Sequence, residues 1–224
     1  MAVPIFIMVT AYLTAVSYEK RKVPISRCYS PDEILRKFLR YTEPFMVMFL
    51  VQLVIEICVN GGVTLGSALS AFINGGFGEY GTYYYPMLLQ MILLVPAVYF
   101  TVKKFKYGLA IFFLLNIIYE VLKTELKMTA GMYRVSVLRF LFVIAAGCWF
   151  GINEKHITKG RKMWLAAMFV FGTGWILAVN YFGYETKYFA RWWKTSVLAA
   201  MYIIPLFIWG SIRLSEKRWP VLEK

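Results

Sequence analysis

The sequence predicts an all-α, multi-pass transmembrane bundle of about seven spans, and three observations lead to that prediction. Apolar residues make up 60% of the 224 positions, above the ~45–50% that is usual in soluble domains. They are gathered into long runs, each close to the ~20 residues that a spanning helix needs. Basic residues concentrate in alternate loops between the runs. A transmembrane β-barrel would instead show short segments of alternating polarity.

Seven apolar runs follow one another along the chain and are treated as one transmembrane domain, 1–224. The first two are short for a span, but a bilayer accommodates such a mismatch by local thinning. In order, the runs cover 2–17, 44–60, 83–102, 107–122, 133–152, 163–182 and 195–212.

The basic residues predict the orientation of the bundle. Of the 25 Lys and Arg residues, 18 lie in the loops after runs one, three and five and in the C-terminal tail, whereas five lie in the other loops. By the positive-inside rule the richer side faces the cytoplasm, so the N-terminus is outside and the C-terminus inside. The net charge of +13 then reflects topology and contact with anionic membrane lipid rather than nucleic acid. The expected location is the cell membrane.

Two amphipathic segments are predicted between the runs. Ser30 to Glu33 has the pattern of a capping box with Pro31 at the first helical position, and an apolar stripe follows it in 34–39. We expect an interfacial helix that ends before Pro44, where the chain turns into run two. A second amphipathic helix is expected at 65–73, on the outer surface. The glycine-rich stretch 75–81 is interpreted as a connector.

The ionisable side chains inside the runs are all expected in the outer half of the membrane. At ~1.5 Å per residue, the predicted topology places Arg139 near the depth of the carboxylates of runs two and four. We therefore expect an outward-facing polar cavity in which Arg139 pairs with Glu56 or Glu120. The alternative is a buried salt bridge that only joins helices. The polar residues in question are Gln52, Glu56, Asn60, Gln90, Asn116, Glu120, Ser136 and Arg139.

A cluster of tyrosines lies at the outer boundary of run three, at Tyr80, Tyr83, Tyr84 and Tyr85. Such a cluster is typical of the aromatic belt of a membrane protein, but it could also form a platform for sugar rings. The candidate substrate-binding residues are Arg139, Glu56, Glu120, Gln90 and Tyr85.

No catalytic residue is assigned within the chain. The single histidine, His156, lies in a basic loop on the predicted cytoplasmic side, so no nucleophile–histidine–acid set can be assembled. Cys28, Cys58 and Cys148 have neither disulfide-framework nor metal-site spacing. No metal is therefore predicted.

Four stretches of the chain resemble the acyltransferase 3 family of membrane O-acyltransferases, and together they span most of its length. The first resembles the family's second helix, the second the basic entry to its third helix, the third an aromatic-to-proline helix and the fourth a later RF…G…G helix. They are VPIF…AY at 3–12, FLR…P at 38–44, YYYP…Q…P at 83–96 and RF…G…FG at 139–151.

The resemblance implies transfer of an acyl group, commonly acetyl, from a cytoplasmic acyl-CoA to a hydroxyl of a cell-surface glycan. The family's catalytic histidine lies on a first helix that precedes the resembling part. The resemblance thus implies a fragment truncated at both ends and inactive alone. Arg139 would stabilise developing negative charge or hold an acidic sugar group. Basic residues on the cytoplasmic side would attract the phosphates of CoA, unless they only set the topology. These are Lys103, Lys104, Lys106 and Lys155.

Two other functions remain open at this point. The chain could be a carrier or flippase for a lipid-linked or anionic solute, with Arg139 as its binding group, or a purely structural membrane subunit. A homo-oligomer is also left open, because no sequence pattern decides it.

Overall fold

The computed structural model describes residues 2–77, 83–154, 159–184, 186–189 and 197–216, and every regular element within them is helical. This confirms the all-α prediction. The elements are α1 (Ala2–Arg21), α2 (Ile25–Cys28), α3 (Pro31–Asn60), α4 (Leu65–Asn74), α5 (Tyr84–Lys104), α6 (Gly108–Glu125), α7 (Ala130–Val135), a 3-10 turn (Val137–Phe140), α8 (Leu141–Asn153), α9 (Lys159–Tyr181) and α10 (Val197–Glu216).

Within the described residues, three helices are long and apolar enough to cross a membrane. They are Pro31–Asn60, Tyr84–Lys104 and Gly160–Tyr181. Shorter apolar helices cover Leu65–Asn74, Val137–Asn153 and Val197–Arg213. Helices of this length and composition indicate a membrane protein, because ~20 apolar residues match the thickness of the hydrocarbon layer.

The core forms around α8, whose residues from 141 to 148 are all buried. α8 packs most extensively against α1 and also contacts α5 and α6. Two glycines make the approach to α1 possible. A Cβ atom on Gly147 would lie 2.6 Å from the carbonyl oxygen of Met8, and one on Gly151 would lie 3.0 Å from that of Tyr12. The two backbones are therefore in direct contact.

The two ends of this core carry different side chains. The basic end is where α1 ends in Lys20 and Arg21 and α5 ends in Lys103 and Lys104. The tyrosine end is the opposite one, where α5 begins after Tyr83.

The predicted turn at Pro44 is wrong, because α3 continues without interruption from Pro31 to Asn60. The capping box is also absent. Ser30 is the N-cap residue, but its hydroxyl donates to the Arg27 carbonyl (3.0 Å), and Glu33 forms ion pairs with Arg36 and Lys37. A proline inside a helix removes one backbone hydrogen bond. Here the helix of 30 residues continues through Pro44 despite that loss.

The predicted single helix at 133–152 is broken. α7 ends at Val135, the 3-10 turn covers Val137–Phe140, and α8 starts at Leu141. Ser136 lies between the two helices in an extended conformation. The break redirects the chain at the position of Arg139.

The remaining helices agree with the apolar pattern. The amphipathic helix expected at 65–73 is confirmed as Leu65–Asn74, and Thr64 caps it by accepting from the Ser67 N–H (3.2 Å). α9 packs mainly on α10, where a Cβ atom on Gly172 would lie 2.5 Å from the backbone nitrogen of Tyr202. α9 and α10 thus form a tight hairpin beside the core.

Candidate functional site

Arg139 lies in the 3-10 turn at the tyrosine end and is 3% exposed. Three aromatic rings surround its guanidinium group. Its Cζ atom lies 5.3 Å from the ring centroid of Tyr83, 5.4 Å from that of Tyr133 and 4.5 Å from that of Phe140. A cation over the faces of aromatic rings is attracted by their quadrupoles, so this cage holds the charge without a carboxylate in direct contact.

The helix break beside Arg139 is stabilised by polar side chains from two neighbouring helices. The Gln90 amide on α5 donates to the Val135 carbonyl (2.8 Å) and accepts from the Val137 N–H (3.1 Å). On α6, Asn116 Oδ1 accepts from the Phe142 N–H (3.1 Å). Backbone groups freed by a break in an apolar environment need such partners. Gln90 and Asn116 therefore provide hydrogen-bond partners for the backbone groups that the break leaves free.

Glu120 on α6 belongs to the same buried centre. It is 1% exposed, and it accepts a hydrogen bond of 2.5 Å from the hydroxyl of Tyr133. The Lys123 ammonium lies 3.7 Å from its carboxylate. Tyr133 thus contacts both the Glu120 carboxylate and the Arg139 guanidinium.

Arg139 makes no direct ion pair in the described part of the chain, since no carboxylate oxygen lies within 4.0 Å of its nitrogens. The expected contact between Arg139 and Glu120 is instead bridged by the Tyr133 ring. Arg139 Nε and Asn116 Nδ2 are buried in this centre without a hydrogen-bond partner among those residues, as is the hydroxyl of Tyr119, whose ring stacks on Tyr133. Buried donors without partners are uncommon in native proteins. They are the groups of this centre with unused capacity to bind an oxygen atom.

Two of the five candidate binding residues lie away from this centre. On α3, Glu56 accepts a hydrogen bond from Asn60 Nδ2 (2.6 Å), one turn along the same helix. The Tyr85 ring stacks on Phe45 with centroids 3.7 Å apart, and its hydroxyl lies 3.0 Å from that of Thr42. The structure therefore brings Arg139, Glu120 and Gln90 together, but not Glu56 or Tyr85. The expected pairing of Arg139 with Glu56 is absent.

A groove with a volume of about 580 Å³ lies between α1, α2, α3 and α5. We call it the basic groove. Its lining combines hydroxyl groups, five basic side chains and one carboxylate. The hydroxyl-bearing and charged residues of the lining are Thr10, Thr14, Ser17, Tyr18, Arg21, Arg27, Glu33, Arg36, Lys37, Arg40, Tyr41 and Tyr84.

The basic groove carries an excess of positive charge. Glu33 pairs with Arg36 and lies 3.6 Å from the Lys37 ammonium, which also donates to the Tyr18 hydroxyl (2.8 Å). Among the described residues no carboxylate oxygen lies within 4.0 Å of Arg21, Arg27 or Arg40. Five cations and one carboxylate leave a site suited to an anion, because low-dielectric walls strengthen charge interactions.

The basic groove was missed at the sequence level because its cations were interpreted as topology determinants. One pattern points to it. Polar residues recur every three or four positions of α1, with Tyr18 directly after Ser17. These residues are Thr10, Thr14, Ser17, Tyr18 and Arg21. They therefore form one polar stripe on an apolar helix. Such a stripe predicts that this face contacts something other than lipid.

The basic groove and the Arg139 centre meet at two consecutive tyrosines. Tyr84 lines the groove, and the ring of the preceding residue, Tyr83, lies over Arg139. The distance from Arg21 to Thr10 along α1 is about 16 Å at 1.5 Å per residue. The groove therefore extends from the basic end toward the charged centre.

Three of the lysines expected to attract phosphates, Lys103, Lys104 and Lys106, do not line the basic groove. Lys103 forms an ion pair with Glu19 (2.7 Å) and donates to the Tyr99 hydroxyl (3.1 Å). Lys104 and Lys106 lie over the rings of their neighbours Phe105 and Tyr107. Lys155, Tyr80 and His156 lie outside the described residues.

Comparisons with known proteins leave the family open. No family model matches the chain, and no match was found among curated proteins or among solved structures.

Proposed function

We propose that the chain is part of a membrane O-acyltransferase that passes an acyl group, with acetyl as the expected one, from acyl-CoA to a hydroxyl of a cell-surface polysaccharide. In this proposal it is a multi-pass cell-membrane protein of about seven spans, with its N-terminus outside and its C-terminus inside. The basic end then faces the cytoplasm, where acyl-CoA is available, and the tyrosine end faces the acceptor glycan.

One observation carries this proposal: the basic groove runs from the basic end toward the Arg139 centre. An acyl-CoA has a strongly anionic nucleotide part and a thin pantetheine arm. Arg21, Arg27 and Arg40 have no carboxylate neighbour among the described residues, so they can bind phosphates as cations. The hydroxyls of Thr10 and Thr14, further along the lining, offer polar contacts to the arm.

The Arg139 centre is suited to the acceptor end of such a transfer. A buried guanidinium held by aromatic rings can stabilise the negative charge that develops when a hydroxyl attacks a thioester carbonyl. Tyr133 fixes the distance between Arg139 and Glu120, because it contacts both. Arg139 would therefore orient the acceptor and stabilise charge, whereas no general base is assigned within the described residues.

The packing of the resembling stretches also supports the proposal. The stretch at 3–12 packs through Met8 and Tyr12 on Gly147 and Gly151 of the stretch at 139–151. The stretch at 83–96 reaches the same place through Gln90, which bonds to the chain at Val135 and Val137. Segments that are distant in sequence but carry one family pattern are thus neighbours in space.

The first test is binding of CoA to the purified protein, measured by isothermal titration calorimetry. We expect saturable binding. The substitutions Arg21→Gln and Arg40→Gln should each raise the Kd for CoA about fivefold, since an exposed charge contact contributes up to ~1 kcal/mol. Arg213→Gln is the matched control, because Arg213 is an exposed arginine on α10 that does not line the basic groove. Absence of saturable binding, or an equal effect of all three substitutions, would rule out the donor site.

The second test follows labelled acetyl groups from acetyl-CoA to a cell-wall glycan fraction in membranes that contain this chain within the longer, histidine-bearing protein that the resemblance implies. Arg139→Gln should lower transfer by about 10²-fold, the usual cost of losing one group that stabilises a transition-state charge, without changing the Kd for CoA. A parallel loss of CoA binding would indicate a structural role for Arg139.

A second function, a carrier or flippase for a lipid-linked or anionic solute, is favoured by a different observation. The helix break between α7 and α8 places a buried cation at an interrupted helix, an arrangement that many transporters use to bind solutes. Reconstitution into liposomes separates the two functions. Arg139-dependent flux of an anionic or lipid-linked solute, in the absence of CoA binding, would support the carrier.

A further inference from the structure

A second large cavity lies between α6, α8, α9 and α10, with a volume of about 430 Å³. We call it the lateral cleft. Its walls are formed by aromatic and aliphatic side chains, among them Phe113, Phe142, Trp149, Leu165, Met168 and Ile208. Its volume lies within the ~300–1,000 Å³ that is usual for ligand-binding pockets.

The lateral cleft has one charged end and one apolar end. Its two basic lining residues, Lys106 and Arg161, precede the apolar parts of α6 and α9 and so lie at the basic end of the bundle. From Trp149 to Phe142 along α8 the cleft reaches about 10 Å toward the middle of the bundle. It therefore has the shape and polarity of a site for a chain-like molecule with an anionic head.

The contacts of the Arg161 guanidinium at the mouth of the lateral cleft include two neutral groups. It donates to Asn153 Oδ1 (3.0 Å), and its Cζ atom lies 5.5 Å from the ring centroid of Trp149. The Lys106 ammonium lies 5.7 Å from the Tyr107 ring centroid, and within the described ranges no carboxylate oxygen is closer to it than 4.0 Å. The mouth therefore presents positive charge to an occupant.

The lateral cleft opens sideways rather than along the bundle axis. α9 packs mainly on α10 and contributes little contact to α6, so the walls from α6 and α9 are separated. Large side chains flank the gap, with Tyr107 69% exposed and Trp164 75% exposed. In a bilayer such a gap faces lipid, and an entering molecule would come from the membrane.

We propose that the lateral cleft binds an anionic phospholipid, with one acyl chain between α6, α8 and α10 and its phosphate between Lys106 and Arg161. Apolar walls favour the chain because no buried polar group needs a partner there. The basic residues select an anionic head, since each Lys or Arg near a membrane surface contributes about 1 kcal/mol. The site is independent of the basic groove and of the proposed acyl transfer.

The test uses the full-length protein in nanodiscs of phosphatidylcholine that contain a trace of phosphatidylglycerol with a photoactivatable diazirine in its acyl chain. Adducts are mapped by mass spectrometry of peptides. Phe142 and Ala146 on α8 are buried and line the cleft, so lipid around the protein reaches them only through it. We expect adducts on α8, and far fewer from the matching phosphatidylcholine probe.

Two pairs of variants make the result specific. The double variant Lys106→Gln with Arg161→Gln should lower the preference for phosphatidylglycerol over phosphatidylcholine about fivefold for each charge removed. The double variant Lys104→Gln with Arg213→Gln, outside the cleft, should leave this preference unchanged. Ala110→Trp should block α8 labelling by filling the cleft, because Ala110 lines it. Leu114→Trp is the control, four residues further along α6 and 57% exposed.

Three outcomes would overturn the proposal. Equal α8 labelling by the two probes would remove the anionic selectivity. Absence of α8 adducts from either probe would mean that a protein segment fills the cleft. Labelling that palmitoyl-CoA displaces, but unlabelled phosphatidylglycerol does not, would assign the cleft to a soluble acyl thioester. Unchanged monodispersity of each variant shows that it still folds.

Discussion

Glu120 and Glu56 are two carboxylates with nearly the same sequence setting and very different surroundings. Each lies in an apolar run with an amide residue four positions away. Glu120 is buried and bonded to Tyr133 and Lys123. Glu56 remains partly exposed and is bonded to its own helix through Asn60.

The difference follows from how α6 and α3 pack. α6 contacts α8 directly, whereas α3 contacts mainly α5. In the apolar stretch of α3 only 6% of the residues are buried, compared with 50% in α5. Helical spacing therefore places polar residues on one face, but the neighbouring helices decide whether that face is buried.

The strongest test of this comparison replaces each carboxylate by leucine. Glu120→Leu should lower the free energy of unfolding by ~3–5 kcal/mol, because it leaves the buried Lys123 ammonium and the Tyr133 hydroxyl without their partner. Glu56→Leu should change it by less than ~0.5 kcal/mol. Denaturant titration in detergent micelles measures both, and similar losses for the two variants would contradict the contrast between α6 and α3.

A second test concerns the contact between α1 and α8. Gly147→Ala should destabilise the protein by ~1–3 kcal/mol, since its Cβ would meet the Met8 backbone and overpacking of a tight core has this cost. Gly174→Ala on α9 has nothing within 4 Å of the new atom and should be neutral or slightly stabilising. Melting temperatures of the two variants in the same detergent provide the check. A loss for Gly174→Ala as large as that for Gly147→Ala would mean that α9 is packed as tightly as α8.

The third test compares glutamines on α5 and α3. Gln90→Leu removes three hydrogen bonds to the backbone, two at the helix break and one to the Pro86 carbonyl (3.3 Å), and should cost ~1–2 kcal/mol, as polar contacts within membranes average ~0.6 kcal/mol each. Gln52→Leu removes one, to the Phe77 N–H, and should cost less. Hydrogen exchange at the Val137 amide should rise only in the Gln90 variant. If that amide remains equally protected, other groups hold the break.

The smallest effect is expected at the surface, where Lys187 bonds to Glu125 (2.7 Å) at the end of α6. Hydrogen bonds from Lys187 and Tyr188 lower the pKa of the Glu125 carboxyl. A lowered carboxyl pKa adds stability above the unfolded-state pKa of ~4.3, and this stability is lost as the pH falls through the folded-state value. Glu125→Gln should lower the melting temperature at pH 7 less than Glu120→Leu, Gly147→Ala or Gln90→Leu, and not at all at low pH. A larger shift at low pH than at pH 7 would reverse this assignment.

The sequence predicted correctly those features that depend on local composition. The helices at 65–73, 163–182 and 195–212 appear as Leu65–Asn74, Lys159–Tyr181 and Val197–Glu216, because apolar periodicity and capping act within one helix. The proximity of Gln90, Glu120 and Arg139 was also predictable, since rise per residue and alternating direction place them at one level. Their role in binding remains a prediction.

Two errors have a shared cause. Pro44 was expected to end a helix, and the run at 133–152 was expected to continue as one. In the first case the helix continues past the proline and packs on α5, where Phe45 stacks on Tyr85. In the second case Gln90 and Asn116 supply bonds that allow the chain to break. Partners from other helices changed both outcomes, and no local pattern contains them.

The basic groove shows the same limit for function. Its cations were visible in the sequence, but the stretch that contains Arg36 to Arg40 was assigned to an interface because nothing placed it beside the α1 hydroxyls.

The sequence by itself determined that this protein is helical, that several of its helices are apolar enough to cross a membrane, and which residues carry charge inside them. Those properties depend on composition and on the geometry of one helix. Only the tertiary structure decided that Glu120 is buried while Glu56 is not, that Arg139 is held by aromatic rings, and that residues from several helices form the basic groove and the lateral cleft. The reason is physical: in an apolar environment, the partner that satisfies a polar group comes from whichever helix packs against it, and that packing is a property of the whole chain.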